Sequence, residues 1–254
     1  MLRAIRHRGS AGPDTRQATG IALGVQSSHS AASPEKRQIT VSADGKGWAI
    51  LNGRILNHAE LEHYLEQRGS PLVDRSDADL LLALYRLQGT RCLDQMEGEF
   101  ALVVWDGWQR RLFAARDRLG IHHLFYTIQD GTFYFGSEIK AILATGQVER
   151  RLDPHAIDQV LFMNCPVAPR TMFQGISALP AGHFLLVHDG HLNQQAYWDL
   201  EFAPATVGLQ SEEEWRQQLL SLLRNAVHKR IPSDQSTGVY LSGGLDSSTV
   251  TALM

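Results

Sequence analysis

The residues best suited to chemistry lie near the C-terminus, in Ser242-Gly243-Gly244-Leu245-Asp246-Ser247-Ser248. Gly243 and Gly244 let the backbone turn with its N–H groups facing inward, and the hydroxyls of Ser242, Ser247 and Ser248 add donors. Before the turn, Gly238, Val239, Tyr240 and Leu241 form a short, partly β-branched apolar run that predicts a buried strand. After it, residues 247–254 predict the opening of a helix capped by Asp246 or Ser247. Strand, glycine turn and helix N-terminus together make a cradle for an anion, because the helix end adds positive potential. The bland alternative is a Ser/Gly surface turn beside a capped helix. Agreement of three independent local signals favours the cradle.

The preceding chain must supply the elements around such a site. Residues 1–37 read as loop, with one apolar run at Ile21-Ala22-Leu23-Gly24-Val25. Ile39 and Val41, then Trp48 to Asn52, predict a hairpin turning at Asp44-Gly45. Helical spacing of Leu61, Tyr64 and Leu65 predicts a helix over 59–68, and Leu80, Leu81, Leu84, Tyr85 and Leu87 a second over 76–88. Ser76 or Asp77 would cap the second. Residues 100–105, 111–116, 124–128 and 132–135 predict strands, and their near-continuous apolar character implies sheets covered on both faces. Short helices are expected at 139–144 and 154–161, then a hairpin turning at Asp189-Gly190. Residues 201–210, with Pro204 and Gly208, suit a linker. Ser211 and Glu214 then form a capping box for a helix to about Lys229 that buries Trp215, Leu219, Leu222, Leu223 and Val227.

Bulk properties exclude several classes. A chain of 254 residues with 43% hydrophobic and 20% charged content folds as one large or two ordinary domains. A net charge of −3 provides no basic footprint for nucleic acid. No apolar run approaches the ~20 residues that cross a bilayer, and the N-terminus lacks the apolar core of a signal peptide. The two cysteines, Cys92 and Cys165, make neither a disulfide framework nor a thiolate zinc site. Among the 11 histidines, His122-His123 and His188/His191 lack metal-ligand spacing, so no metal site is expected. Cytoplasm is the default location.

The C-terminal turn lacks the lysine of a Walker P-loop, so γ-phosphate transfer is not its natural chemistry. It resembles the pyrophosphate loop of ATP-pyrophosphatases, which split ATP between its α and β phosphates. Upstream, Asn52-Gly53-Arg54-Ile55-Leu56-Asn57 is similar to the Asn-Gly-Glu-Ile-Tyr-Asn segment of class II glutamine amidotransferases. His7-Arg8-Gly9, the stretches 115–121 and 135–143, and Leu179-Pro180-Ala181-Gly182-His183 are similar to signature stretches of glutamine-dependent asparagine synthetase. The resemblance implies an α+β fold: a four-layer αββα glutaminase sandwich of the N-terminal-nucleophile type over residues 1–200, a linker at 201–210, and the first strand, loop and helix of an α/β ATP-pyrophosphatase domain over 211–254. It further implies ATP and Mg²⁺ as cofactors and aspartate as acceptor. Leu241, Ser242, Gly243, Gly244, Leu245, Asp246, Ser247 and Ser248 would face the pyrophosphate, with Asp246 acting through Mg²⁺ or fixing the loop.

Departures from the family pattern carry their own expectations. The family's nucleophile is an N-terminal cysteine at the second residue, which here is Leu2, and neither Cys92 nor Cys165 can replace it. The glutamine-anchoring arginine falls on Ser27, which cannot grip a carboxylate in bidentate fashion. The glutamate after Asn-Gly is Arg54, reversing a charge that faces the substrate's amino group. Asn52 and Gly53 could still make an oxyanion pocket, and Asp77 still matches the ammonium-binding aspartate, but with the nucleophile gone a strand end and a helix cap are the favoured account of these residues. The resemblance therefore implies an asparagine-biosynthesis-type amide ligase with a vestigial glutaminase site and an incomplete synthetase domain, inactive alone. Alternatives are an intramolecular amide-forming relative, of β-lactam synthetase or lasso-peptide cyclase type, and a non-catalytic scaffold or half of a split enzyme. Partnering as a homodimer or with a complementing C-terminal chain stays open.

Overall fold

Alternation along the apolar strands sets the architecture. The computed structural model describes residues 1–10, 12–26, 39–202, 211–231 and 237–254. Two units follow, Met1–Asp199 and Leu200–Met254. Ser27 and residues 203–210, most of the expected linker, lie outside the described residues.

The first unit opens with a 3-10 segment over Leu2–Arg8 and the hairpin of β1 (Pro13–Ala18) and β2 (Ile21–Gln26). Then come β3 (Thr40–Val41), β4 (Gly47–Ile55), α1 (His58–Glu66), α2 (Asp77–Gln88) and α3 (Cys92–Gln95). Strands β5 (Gly98–Asp106), β6 (Arg111–Arg116), β7 (Phe125–Gln129) and β8 (Thr132–Gly136) precede α4 (Ile139–Leu143) and α5 (Pro154–Met163). The unit closes with β9 (Ser177–Ala178), β10 (His183–His188) and β11 (His191–Ala196). An antiparallel six-stranded sheet has the order β11-β10-β6-β5-β4-β3, and a three-stranded sheet the order β8-β7-β9.

Period-two geometry sends neighbouring residues of β5 to opposite faces. Phe100, Leu102 and Val104 meet Leu65, Leu80, Leu81 and Leu84 of α1 and α2. Ala101 and Val103 face the other way, toward Leu23 of β2, with Tyr126, Phe133 and Phe135 packed beside them. Ile142 and Leu143 of α4 close a further cluster with Ile176, Phe125 and Tyr134. Helices thus cover one face of the large sheet, while smaller sheets cover the other and α4 packs beyond them. Each buried leucine contributes about 1.5–3 kcal/mol over its exposed state.

Local signals read from sequence reappear here. Ser76 caps α2 by accepting from the Asp79 N–H at 3.1 Å, and the Asp44-Gly45 turn links β3 to β4. Residues 1–26 depart from the loop expectation. Strand β1 buries none of its residues, so its side chains carry no apolar periodicity, and pairing with β2 alone defines it.

The second unit contains α6 (Glu212–His228) and α7 (Leu245–Leu253). The Ser211–Glu214 capping box forms as expected. Trp215, Leu219 and Leu222, expected to be buried, are instead 52–60% exposed, and Leu223 and Val227 are only half-buried, because α7 alone is too little surface within this unit to bury the stripe. Residues 238–241 make no strand; Tyr240 is fully exposed, and a strand without a hydrogen-bonded neighbour has nothing to hold it extended. Gly244, rather than Asp246 or Ser247, is the N-cap of α7.

Candidate functional site

Between the six-stranded sheet and strands β2 and β8 lies a cavity of about 440 Å³. Its floor is Ile50, Asn52, Ala101 and Val103; Leu23, Val25, Phe133 and Phe135 form walls, and Arg8 and Ser137 join them at the polar end. The strand alternation that buries β5 on both faces places these apolar side chains here.

Asn52 sits on β4 opposite Ala101, and its Nδ2 is buried with no hydrogen-bond partner. A buried unpaired amide is costly unless a ligand or water accepts from it. Gly53 follows with φ +124°, and a Cβ there would overlap the Glu99 carbonyl oxygen of β5. Close backbone approach therefore requires glycine at this position.

Arg54 lies outside the cavity lining and donates from Nε to Glu99 Oε1 at 3.2 Å, across the register pair it forms with that residue. Asp77, the first residue of α2, also lies apart from the lining. Its Oδ2 accepts from the Ile55 N–H at 2.9 Å, and its Oδ1 lies 2.7 Å from His58 Nδ1. Of the four residues singled out at this end of the molecule, only Asn52 borders the cavity. Arg54 and Asp77 tie β4 to its neighbours.

Two features escaped sequence reasoning. At the cavity end, Glu138 accepts from His7 Nε2 at 2.9 Å, Arg8 Nη1 at 3.2 Å and Lys140 Nζ at 2.9 Å. Burial works to raise the Glu138 pKa, but hydrogen bonds from Lys140 and Arg8 and the charge of His7 outweigh it, and the carboxyl ends below its usual range. The signal was the pair of segments 7–9 and 135–143, whose contact only the fold reveals.

The other feature is Arg116-Asp117, both buried. Arg116 donates to the His122 and Leu179 carbonyls at 2.8 Å each, while Asp117 accepts from the N–H groups of Phe100, Leu119, Ile121 and His122 at 3.0–3.3 Å. This pair holds the loop after β6. The Cys92 thiol, buried on the helix side of the sheet, is pushed up to about 12 mainly by burial and then by the charge of Asp94. A thiol so held stays protonated and is no nucleophile. Cys165 is exposed and borders no part of the cavity.

In the second unit, Ser242 Oγ lies 2.9 Å from Ser247 Oγ, which also reaches the Gly244 carbonyl at 3.1 Å. Gly243 has φ +79°, so the chain turns there into α7. No side chain caps the start of α7, leaving its first N–H groups to an outside acceptor. Leu241 and Leu245 are exposed, Asp246 stands in the first turn, and Ser248 N–H bonds the Gly244 carbonyl at 3.1 Å. Among the described residues, no group of three or more His, Cys, Asp or Glu side chains could hold a metal ion, and no helix is long and apolar enough to cross a membrane.

A profile of the glutamine amidotransferase domain matches residues 1–198. The chain belongs to the glutamine amidotransferase family. An asparagine synthase profile matches residues 218–254, so a short synthase segment follows the amidotransferase domain. Among curated relatives, the glutamine-hydrolyzing asparagine synthetase 3 of Bacillus subtilis strain 168 is 37% identical over 205 residues, 80% of this chain and 33% of that protein. Amidase chyE of Penicillium rubens is 35% identical over 211 residues, 81% of this chain and 30% of that protein. The chain spans about a third of the length of these relatives. Among solved structures, the glutamine phosphoribosylpyrophosphate amidotransferase of B. subtilis aligns over 78% of this chain and 45% of its own, with a TM-score of 0.55 and 16% identity. The amidotransferase unit therefore shares the α+β class II amidotransferase fold.

Proposed function

We propose that this chain is the amidotransferase-like domain, residues 1–200, and the opening of the synthetase domain, residues 211–254, of an ATP-dependent, asparagine-synthetase-like amide ligase, and that its glutamine site is degenerate. The succession of an amidotransferase match and an asparagine synthase match along one chain carries this reading. Layering of helices, large sheet, small sheets and α4 supports a four-layer αββα sandwich.

For the nucleotide, the serine-lined turn at 242–248 with the uncapped start of α7 fits an anion, since orphan N–H groups and hydroxyls both donate. Ser242, Gly243, Gly244, Ser247 and Ser248 would hold the pyrophosphate, and Asp246 would act through Mg²⁺, because a carboxylate repels phosphate directly. When bound, ATP would supply the adenylyl group that activates the acceptor carboxylate, aspartate in the parent reaction, with pyrophosphate as the leaving group. Ammonia would then form the amide. The chain covers only a short piece of the synthase domain, and the remaining ATP-binding elements belong to the rest of that domain.

Degeneracy of the glutamine site is supported by residues of this chain alone. Arg54 engages Glu99 and Asp77 engages the end of β4. The test is ATP–pyrophosphate exchange and asparagine formation by this chain mixed with the separately expressed synthase domain of the B. subtilis relative. Exchange is expected only in the mixture, and amide formation with ammonia but not glutamine. Asparagine formation from glutamine at a rate comparable to that with ammonia would refute the degenerate site; exchange by the 254-residue chain alone would refute the need for a complementing domain.

A further inference from the structure

The loop that follows β6, residues 117–124, is held by one side chain. Arg116, buried at the end of β6, donates from Nε to the His122 carbonyl and from Nη1 to the Leu179 carbonyl, at 2.8 Å each, and from Nη2 to the Gly120 carbonyl. Its Nη2 also lies 2.9 Å from His123 Nδ1. A guanidinium carries donors only, so this contact fixes the imidazole: Nδ1 holds a lone pair and Nε2 the proton. Only the neutral ring satisfies the bond. A proton on Nδ1 would set two cations at hydrogen-bond distance with no acceptor between them.

The surroundings decide which partner yields. Arg116 is buried and stays bonded to Leu179, whereas His123 is exposed and otherwise stacks on Phe125, ring centroids 5.6 Å apart. Solvent protons reach the imidazole, and its swing outward leaves the core filled. Among the described residues, the charges facing His123 are Arg116 of β6, Arg8 of the N-terminal 3-10 segment, and Asp117 and His122 of the loop. Burial of part of the ring, then Arg116, His122 and Arg8, hold its pKa below the usual imidazole range against Asp117. The closed loop therefore keeps His123 neutral, and an opened loop takes up a proton more readily.

This loop abuts the sheet end that carries Asn52 and Gly53. The Asp117 N–H donates to the Phe100 carbonyl at 2.8 Å, and Phe100 stands opposite Gly53 in the β4–β5 register. Ala101 likewise pairs with Asn52 on one side and Arg116 on the other. We propose that the Arg116–His123 contact is an acid-released latch: a proton on His123 Nδ1 breaks it and lets residues 118–123 lift from the sheet end beside Asn52 and Gly53, while Arg116 stays on Leu179. The device goes beyond the amide-ligase reading and does not depend on it.

Amide hydrogen exchange of the full chain, read by nuclear magnetic resonance and corrected for the intrinsic effect of pH, tests the latch. The Leu119, Ile121 and His122 N–H groups, which donate to the Asp117 carboxylate, report on the loop. Their protection should fall as pH drops below about 6.5, by at most about tenfold per pH unit, because opening takes up one proton. The amides of Val103 and Val104 in β5 should hold their protection. His123→Asn offers Arg116 an amide oxygen and no titrating group, so its loop protection should be flat with pH. His122→Asn should keep the fall. Nitrogen-15 shifts should show the neutral His123 ring protonated on Nε2. Flat protection in the unaltered chain, a parallel fall in β5, loss of the fall in His122→Asn, or a proton on Nδ1 of the neutral ring would each overturn the proposal. A fall that persists in His123→Asn would overturn it too, and would assign the effect to the Asp117 carboxyl.

Discussion

Helices α2 and α6 start from the same local chemistry and finish in opposite states. Both are capped by a serine whose hydroxyl accepts from the N–H three residues on, and both carry acidic side chains in the first turn. Seven residues of α2 are buried and none of α6 is, although α6 has its own apolar stripe in Trp215, Leu219 and Leu222. Capping and propensity therefore suffice to write a helix, but burial belongs to whatever packs on it. The sheet covered by α2 lies within the amidotransferase unit; within the second unit α6 meets α7 without full burial of any of its residues.

Truncating an apolar side chain tests this contrast most severely. Phe113→Ala, in a fully buried ring stacked 5.1 Å from Tyr85, should cost about 3–5 kcal/mol in urea unfolding. Leu222→Ala on α6 should change stability by less than about 0.5 kcal/mol. Comparable losses would mean that α6 is packed after all.

The caps sharpen it at intermediate size. Ser76→Ala should lower the stability of the amidotransferase unit by about 1 kcal/mol while leaving its helix content unchanged, since tertiary contacts hold α2 in place. Ser211→Ala removes the hydroxyl's half of the capping box, leaving the backbone N–H of residue 211 on the Glu214 carboxylate, and should melt part of α6, lowering far-ultraviolet circular dichroism with the main unfolding transition unmoved. A shift of that transition in Ser211→Ala would contradict this outcome.

The smallest effect is electrostatic and confined to the first unit. Burial, then the charges of Arg116, His122 and Arg8, hold His123 below the usual imidazole range despite the opposing charge of Asp117. The unfolded chain takes up its proton near pH ~6.5, before the folded one does. Stability is thus fully present above that pH and is lost as pH falls through the lowered native value. His123→Asn should flatten the fall in melting temperature between neutral and mildly acidic pH; an unchanged slope would remove His123 as its source.

Much of the fold was legible because its signals are local. Ser76, the Ser211–Glu214 box, the Asp44-Gly45 turn and the continuous apolar runs of β5 and β6 each act within a few residues. The β1–β2 hairpin was not legible, since β1 exposes its polar side chains and only pairing defines it. At the candidate site, Asn52 was readable from its neighbours Gly53 and Arg54, whereas Arg8 and Glu138 lie 130 residues apart and meet only through folding.

The sequence by itself determined where the caps, turns and helices begin, and which family the chain resembles. Those depend on side chains within reach of their own backbone. Tertiary structure alone decided that Arg54 and Asp77 hold strands rather than face the cavity, that Arg8 does face it, and that residues 238–241 make no strand. Each of these depends on a partner distant along the chain, and a pattern of neighbours cannot specify a contact that only packing creates.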